Sequence, residues 1–165
     1  MSRAFVNEDN AAAQADQPVE RQVSEQPNYV TAQGLAQLQA KVAELQSLHA
    51  EQTAKGEQAD KQRLADLQRD LRYFTQRLSS AQVAVAATST DKVQIGSRVS
   101  FVDEQGQAHE VQLVGEDQAD AGRGLINWGS PLGRALLGAG PGDEVVWRRP
   151  VGDQMIEVVA IEGEA

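Results

Sequence analysis

The chain has no cysteine, only two histidines, 4% aromatic residues and no long apolar run. The absence of cysteine excludes disulfides, thiolate metal sites and a cysteine nucleophile. Because His49 and His109 lie far apart in sequence, we predict no histidine metal site and no cofactor. No segment approaches the ~20 apolar residues that span a bilayer, and the first residues lack the apolar part of a secretory signal. We therefore expect a cytoplasmic protein that makes no membrane contact.

Positive charge is scarce as well, with 15 Lys and Arg residues against 24 Asp and Glu residues and a formal net charge of -9. A protein that binds nucleic acid over a broad face neutralises phosphates with clustered Lys and Arg. The composition disfavours that class of protein and favours a protein partner with a basic surface.

Residues 1–28 are rich in Ala, Gln, Glu and Asp and have no regular apolar spacing. Such a stretch buries too little surface to offset the entropy that it loses on ordering. We predict that residues 1–28 form a flexible tail.

A regular apolar pattern starts after Tyr29. Thr31 can cap a helix, because its hydroxyl can accept a bond from an otherwise unpaired backbone N–H. Two apolar stripes with spacings of three and four follow, separated by a break that contains Gly56. The first stripe consists of Leu35, Leu38, Val42 and Leu45, and the second consists of Leu64, Leu67, Leu71, Phe74 and Leu78.

These stripes predict an antiparallel coiled-coil hairpin over residues 29–86, because each stripe is too narrow to pack alone. The arms are expected near residues 31–52 and 58–86. The tip is expected at Thr53, Ala54, Lys55, Gly56 and Glu57. The two stripes could instead pair between chains and form a helical dimer; we predict a monomeric hairpin.

Beyond a predicted linker at residues 87–92, apolar residues alternate with polar ones, which indicates β-strands. Strands are expected at residues 98–102, 110–114, 125–128, 144–147 and 155–161. Ser130 as N-cap, Pro131 in the first turn and Gly138 as a stop predict one short helix among them. We predict a mostly antiparallel β domain over residues 93–165, and the fold class of the chain is α+β.

Six sequence blocks occur in order: residues 31–35 (TAQGL), 77–83 (RLSSAQV), 95–99 (IGSRV), 113–120 (LVGEDQAD), 130–138 (SPLGRALLG) and 142–145 (GDEV). Together they resemble the Gre family of bacterial transcript-cleavage and elongation factors, over residues 29–162. The resemblance implies an N-terminal coiled coil and a C-terminal FKBP-like domain. It also implies a partner, bacterial RNA polymerase: the globular domain binds the rim of the secondary channel, and the hairpin enters the channel.

The resemblance also suggests which residues contact the polymerase. Ser130 and Pro131 occupy the family's docking position at the rim, although both could simply start the helix. The basic residues of the second arm are candidates for contact with RNA or the channel wall, and they comprise Lys61, Arg63, Arg69 and Arg72. Neighbouring acidic residues offer intrahelical ion pairs that would explain the same residues as a solvated face.

Cleavage-competent members of the family carry an acidic tip that helps to hold a catalytic Mg²⁺, an ion that prefers carboxylate oxygens. In this chain the two carboxylate positions fall on Ala50 and Thr53. The first arm is also several turns shorter than is usual in the family. We therefore expect no metal at the tip, no stimulation of transcript cleavage and no enzymatic activity of the chain itself.

The predicted function is that of an elongation regulator that occupies the secondary channel and contacts RNA and DNA only indirectly. One alternative is a cleavage stimulator that uses displaced tip carboxylates, namely Glu51, Glu57 and Asp60. A second is prolyl isomerase activity of the FKBP-like domain, for which the chain has few aromatic residues. A third is a self-associating coiled coil with no role at the polymerase.

Overall fold

The computed structural model describes residues 19–164, so residues 1–18 of the predicted tail lie outside the described part of the chain. The described residues form two compact units. One unit combines residues 19–24 with residues 39–79, and the other combines residues 25–38 with residues 80–164. The sequence-based boundaries of the tail, hairpin and linker stay predictions. Within the described residues, no helix is both long and apolar enough to cross a membrane.

Two long helices follow one another near the start of the described chain. Helix α1 spans Ala32–Ala54 and helix α2 spans Lys61–Ser80. The second predicted arm, which ran to residue 86, is therefore too long. The chain leaves the helix at Ser80 because the next residues form a strand: β2, Gln82–Val83, pairs in parallel with β1, Tyr29–Val30.

The helices run antiparallel, as contacts between their side chains show. His49 Nε2 in α1 lies 3.4 Å from Gln68 Nε2 in α2. Lys41, two turns earlier in α1, lies with its Nζ 5.9 Å from the centre of the Phe74 ring, which is further along α2. As the chain position rises in one helix it falls in the other, which confirms the predicted hairpin.

Most of the first predicted stripe is buried, as is Leu67 of the second, which is 1% exposed. Leu38, Val42 and Leu45 are 3%, 8% and 4% exposed. The second stripe is shifted in part, because Tyr73 and Arg77 are buried whereas their neighbours Phe74 and Leu78 are half-buried. The spacing of aliphatic residues did not predict that Tyr73 and Arg77 are buried, because neither residue is aliphatic. An arginine is also rarely fully buried without partners.

Thr31 caps α1, as predicted. Its hydroxyl accepts a hydrogen bond from Gly34 N at 3.0 Å and donates one to Gln118 Oε1 at 2.8 Å. Thr31 is 4% exposed, so both bonds are shielded from water. A Cβ on Gly34 would lie 2.8 Å from Gln118 Oε1, so a side chain there would displace that amide from the cap. The start of α1 is therefore fixed to the turn that holds Gln118.

Five strands form one sheet. They are β3, Arg98–Val102; β4, Ala108–Val114; β5, Leu125–Asn127; β6, Glu144–Trp147; and β7, Gln154–Glu162, and their order in the sheet is β5-β4-β3-β7-β6. Three of the four strand pairs are antiparallel, as predicted, but β5 is parallel to β4. Two 3₁₀ turns, Glu116–Gln118 and Ala121–Arg123, lie between these strands and return the chain so that β5 runs in the same direction.

The core of this unit lies between the sheet and helix α3, Pro131–Leu136. Leu136 is fully buried among side chains of the central strands, including Val99, Leu113 and Val158. Trp128 and Trp147 are half-buried and pack against this core. The helix thus brings the loop before it, with Ser130, to one edge of a rigid sheet.

The turn between β3 and β4 is held by Asp103. Its Oδ1 accepts hydrogen bonds from Gln105 N and Gln107 N, both at 2.9 Å, and its Oδ2 lies 2.9 Å from His109 Nε2. The His109 ring stacks on Phe101, with 5.0 Å between the ring centres. The bond with His109, and then those from the two backbone N–H groups, hold the pKa of Asp103 below its ordinary value. The ionised carboxylate is therefore favoured in the folded state.

We expect Asp103→Asn to lower the thermal unfolding midpoint at neutral pH. The variant keeps an oxygen that can accept the backbone hydrogen bonds of the turn, but it loses the negative charge beside His109. A carboxyl with a lowered folded pKa stabilises above the unfolded pKa of about 3.9, and this stabilisation is lost as pH falls through the folded pKa. The difference from wild type should shrink below about pH 4. Asp103→Ala should be less stable than Asp103→Asn at every pH. A difference that is independent of pH in a thermal melting series would contradict the ionic contribution.

Candidate functional site

The hairpin tip is the turn between α1 and α2. Thr53 and Ala54, predicted as part of the loop, form the last turn of α1, where Thr53 Oγ1 donates to His49 O at 2.8 Å. Gly56 has a φ of +59°, a left-handed backbone conformation that glycine adopts readily. All residues of the predicted tip, from Thr53 to Glu57, are exposed. The tip is thus a tight, solvated turn.

The three tip carboxylates differ in their positions and partners. Asp60 Oδ1 accepts a hydrogen bond from Arg63 N at 3.0 Å and so caps α2. Glu51 lies in α1 and Glu57 in the 3₁₀ turn that follows it, and both are exposed. Across residues 19–164, no three His, Asp or Glu side chains are grouped in a way that could hold a metal ion. Because Mg²⁺ needs several oxygens that converge on one point, the family's Mg²⁺ does not fit these residues.

The four candidate basic residues of α2 differ in their partners. Arg69 pairs with Asp66 at 3.7 Å and with Asp70 at 3.1 Å, as the solvated-face interpretation predicts. Arg72 pairs with Glu20, which comes from the predicted tail. The other two, at positions 61 and 63, are exposed, and their side chains make no hydrogen bond or ion pair within the described residues. The free cations of α2 are therefore those next to the tip.

Ser130 and Pro131 lie in the loop that leads into α3. Ser130 Oγ donates to Asn127 O at 2.7 Å and accepts from Gly133 N at 3.1 Å, so it caps the helix and braces the loop. Its hydroxyl is used within the chain. Pro131, in contrast, is exposed. The structure therefore gives these two neighbours different roles: one shapes the loop and the other forms surface.

Pro131 lines a recess of about 460 Å³. Its apolar lining comes from Pro131, Ala135 and Val146, and Arg134 and Arg148 line it as well. Val146 is 42% exposed and so presents apolar surface to the recess. An apolar centre flanked by guanidinium groups suits an apolar side chain with acidic neighbours. This local charge is opposite in sign to that of the whole chain, so the net charge does not identify what the recess binds.

Sequence reasoning missed most of this recess, since only the fold brings Ala135 in α3 together with Val146 and Arg148 in and just after β6. It also missed the contact of Glu20 with Arg72, because the composition of residues 1–28 indicates no structure. Pro131 is the residue of the recess that the sequence analysis singled out.

Comparisons with known proteins agree with the resemblance found in the sequence. A family model described as "Transcription elongation factor, GreA/GreB, C-term" matches residues 88–163. Transcription elongation factor GreA of Brucella canis is 30% identical over 144 residues, which cover 86% of this chain and 86% of that protein. Transcription elongation factor GreB of Neisseria meningitidis serogroup B is 36% identical over 104 residues, and the match spans 62% of this chain and 64% of that protein. The crystal structure of GreA factor homolog 1 of Thermus thermophilus matches 84% of this chain and 100% of that one, with 24% identity and a TM-score of 0.41.

The role of Asp60 as a cap can be tested by substitution. Asp60→Ala removes the acceptor for Arg63 N and should lower the free energy of unfolding by about 1 kcal/mol. Asp60→Asn keeps a side-chain oxygen and should stay within about 0.3 kcal/mol of wild type, because Asn and Asp cap equally well. Urea unfolding followed by circular dichroism measures both. Equal stability of all three proteins would mean that the carboxylate is not held by the helix and is available to a ligand.

Proposed function

Because this chain belongs to the GreA/GreB family of transcription elongation factors, we propose that it binds bacterial RNA polymerase and regulates transcript elongation. The assignment to the family rests on the match with GreA of Brucella canis, which extends through both the helical and the β-rich parts of the chain. A factor of this kind acts in the cytoplasm, at the rim of the secondary channel of the enzyme.

The proposed docking surface is the recess beside Pro131. It combines exposed apolar surface with two arginines, Arg134 and Arg148, that pair with no acidic side chain in the described residues. Cationic groups at the edge of an apolar recess guide an acidic partner and speed its association. Ser130 supports this surface indirectly, since its two hydrogen bonds hold the loop in which Pro131 lies.

The proposed hairpin occupies the channel without supplying a metal. The observation that carries this part is the tip itself, where Asp60 caps α2, Glu51 is exposed in α1 and Glu57 is exposed in the turn that follows α1. Lys61 and Arg63, whose side chains have no ion pair within residues 19–164, are the cations available to RNA or to the channel wall. We therefore propose a regulatory role and no enzymatic activity of the chain itself.

We also propose that the protein acts as a monomer. Leu38, Val42 and Leu45, which could have paired with a second chain, are already covered within one chain. A helical dimer would require the two helices to separate and expose them. A molar mass corresponding to two chains, measured in solution, would favour the self-associating alternative.

The proposed function predicts binding to polymerase without shortening of RNA. Purified protein should be retained by bacterial RNA polymerase core, and stalled elongation complexes should show no faster transcript cleavage when it is added. The physical reason is that no second metal is held at the tip to generate an attacking hydroxide. A pull-down and a transcript-cleavage assay, run with the same polymerase, measure the two parts.

Glu57→Ala serves as the control for this assay. If the protein does shorten RNA and the shortening disappears in this variant, the displaced carboxylates act at the tip and the proposal of a metal-free hairpin is wrong. If the protein shows no affinity for polymerase core, the proposed function fails as a whole.

The docking recess predicts a selective loss of affinity. Val146→Glu puts a carboxylate into the apolar part of the recess and offsets one of its two positive charges, so it should weaken polymerase binding roughly tenfold or more. Val159→Glu is the matched control, because Val159 is also an exposed valine of the sheet, at 53%, but does not line the recess. Its affinity should stay within about twofold of wild type. Equal losses in both variants, measured by titration of labelled protein, would exclude the recess as the docking surface.

A further inference from the structure

Arg21, in the part of the chain that precedes the Gre resemblance, lies against α2. Its guanidinium carbon is 4.0 Å from the centre of the Tyr73 ring and 5.0 Å from that of Phe74. One of its terminal nitrogens lies 3.5 Å from Asp70 Oδ1. A guanidinium over an aromatic face gains both electrostatic attraction and flat stacking. Arg21 is thus held by three side chains of one helix face.

Glu20 makes a second attachment to the same helix. Arg72 Nε lies 3.1 Å and 3.2 Å from the two carboxylate oxygens of Glu20, and a terminal nitrogen of Arg72 bonds to Glu20 as well. Arg72 thereby holds the pKa of Glu20 below its ordinary value, chiefly through this side-chain hydrogen bond. The carboxylate of Glu20 binds the guanidinium group of Arg72 in the same way as a phosphate would.

These contacts occupy a defined surface of the hairpin, although the side chain of Arg72 remains 56% exposed. Tyr73 is 9% exposed, although no predicted apolar stripe includes it. Arg72 is one of the four basic residues that could meet RNA or the channel wall, and it cannot do so while it is paired with Glu20. Exposed ion pairs and cation–π contacts of this kind are individually weak, so a partner that binds the same face more strongly can displace them.

We propose that residues 19–24 form an autoinhibitory strap, which covers the Arg72–Tyr73 face of α2 and must be released before that face contacts the polymerase. The strap carries a carboxylate at the position where the polymerase would offer an acidic side chain. This inference rests on the proposed function, since the competing partner is the polymerase complex. The closed strap itself is a property of the free protein and can be measured without polymerase.

The first measurement detects the closed strap in the full chain. A nitroxide label is attached through Val19→Cys, which is unique because the natural chain has no cysteine. The label should broaden the NMR signals of residues 70–74 in α2. Adding Arg21→Ala, which removes the stacking and the bond to Asp70, should restore most of that signal intensity. Unbroadened signals in the Arg21-containing protein would show that the strap is open and would overturn the proposal.

The second measurement compares affinities for RNA polymerase core. Arg21→Ala and Glu20→Gln should each bind about threefold to tenfold more tightly than wild type. In each variant one weak, exposed contact between the strap and α2 is removed and no longer competes with the polymerase. Glu25→Gln is the matched control: it makes the same change of charge at an exposed position outside the strap, and its affinity should equal that of wild type.

The outcomes separate the two proposals. If Arg21→Ala opens the strap but binds polymerase equally or less tightly, residues 19–24 brace the hairpin and do not inhibit it. If Glu25→Gln strengthens binding as much as Glu20→Gln, net charge explains the gain and the strap is excluded as its cause. If no variant binds polymerase, the proposed function and the inhibitory role fall together, whereas the label still reports whether the strap is closed.

Discussion

The hydroxyl of Thr31 is the group on which the placement of the first helix depends. A helix start leaves backbone N–H groups without partners, and this hydroxyl accepts one of them while it donates to Gln118. The same atom therefore begins α1 and attaches its first turn to the β-rich unit. Because the site is buried, water cannot replace either bond at low cost. Gly34 permits the approach, since any side chain there would displace the amide.

The recess beside Pro131 and the hairpin tip are built from different kinds of residue. The recess beside Pro131 is built on a packed sheet and a capped helix, so its shape is fixed by the core. The hairpin tip consists of exposed residues around a glycine turn, and the one side-chain hydrogen bond described there, from Thr53 to His49 O, lies within α1 itself. A rigid surface suits specific docking, whereas a solvated turn suits a role in which bulk and charge matter more than geometry.

Local patterns in the sequence predicted the elements of this fold well. The Thr31 cap, the stripe from Leu38 to Leu45, the helix that starts at Pro131 and most strand positions follow from spacing and capping rules that act within a few residues. The parallel pairing of β5 was not predictable in this way, because it depends on two 3₁₀ turns with no apolar pattern. The same holds for the recess and for Arg21, whose partners are distant in sequence. The contrast is physical: rules of periodicity describe neighbours along the chain, and these sites join residues that only packing brings together.

The short parallel pair β1–β2 has a consequence for how such hairpins can change in length. Tyr29 pairs with Gln82, so the chain enters and leaves the hairpin at adjacent points of the same unit. Turns of helix can be removed or added beyond these points without moving the sheet, provided that both arms lose or gain equal amounts and the apolar stripes stay in phase. The length of the hairpin can therefore change while the packing of the sheet and its recess stays the same.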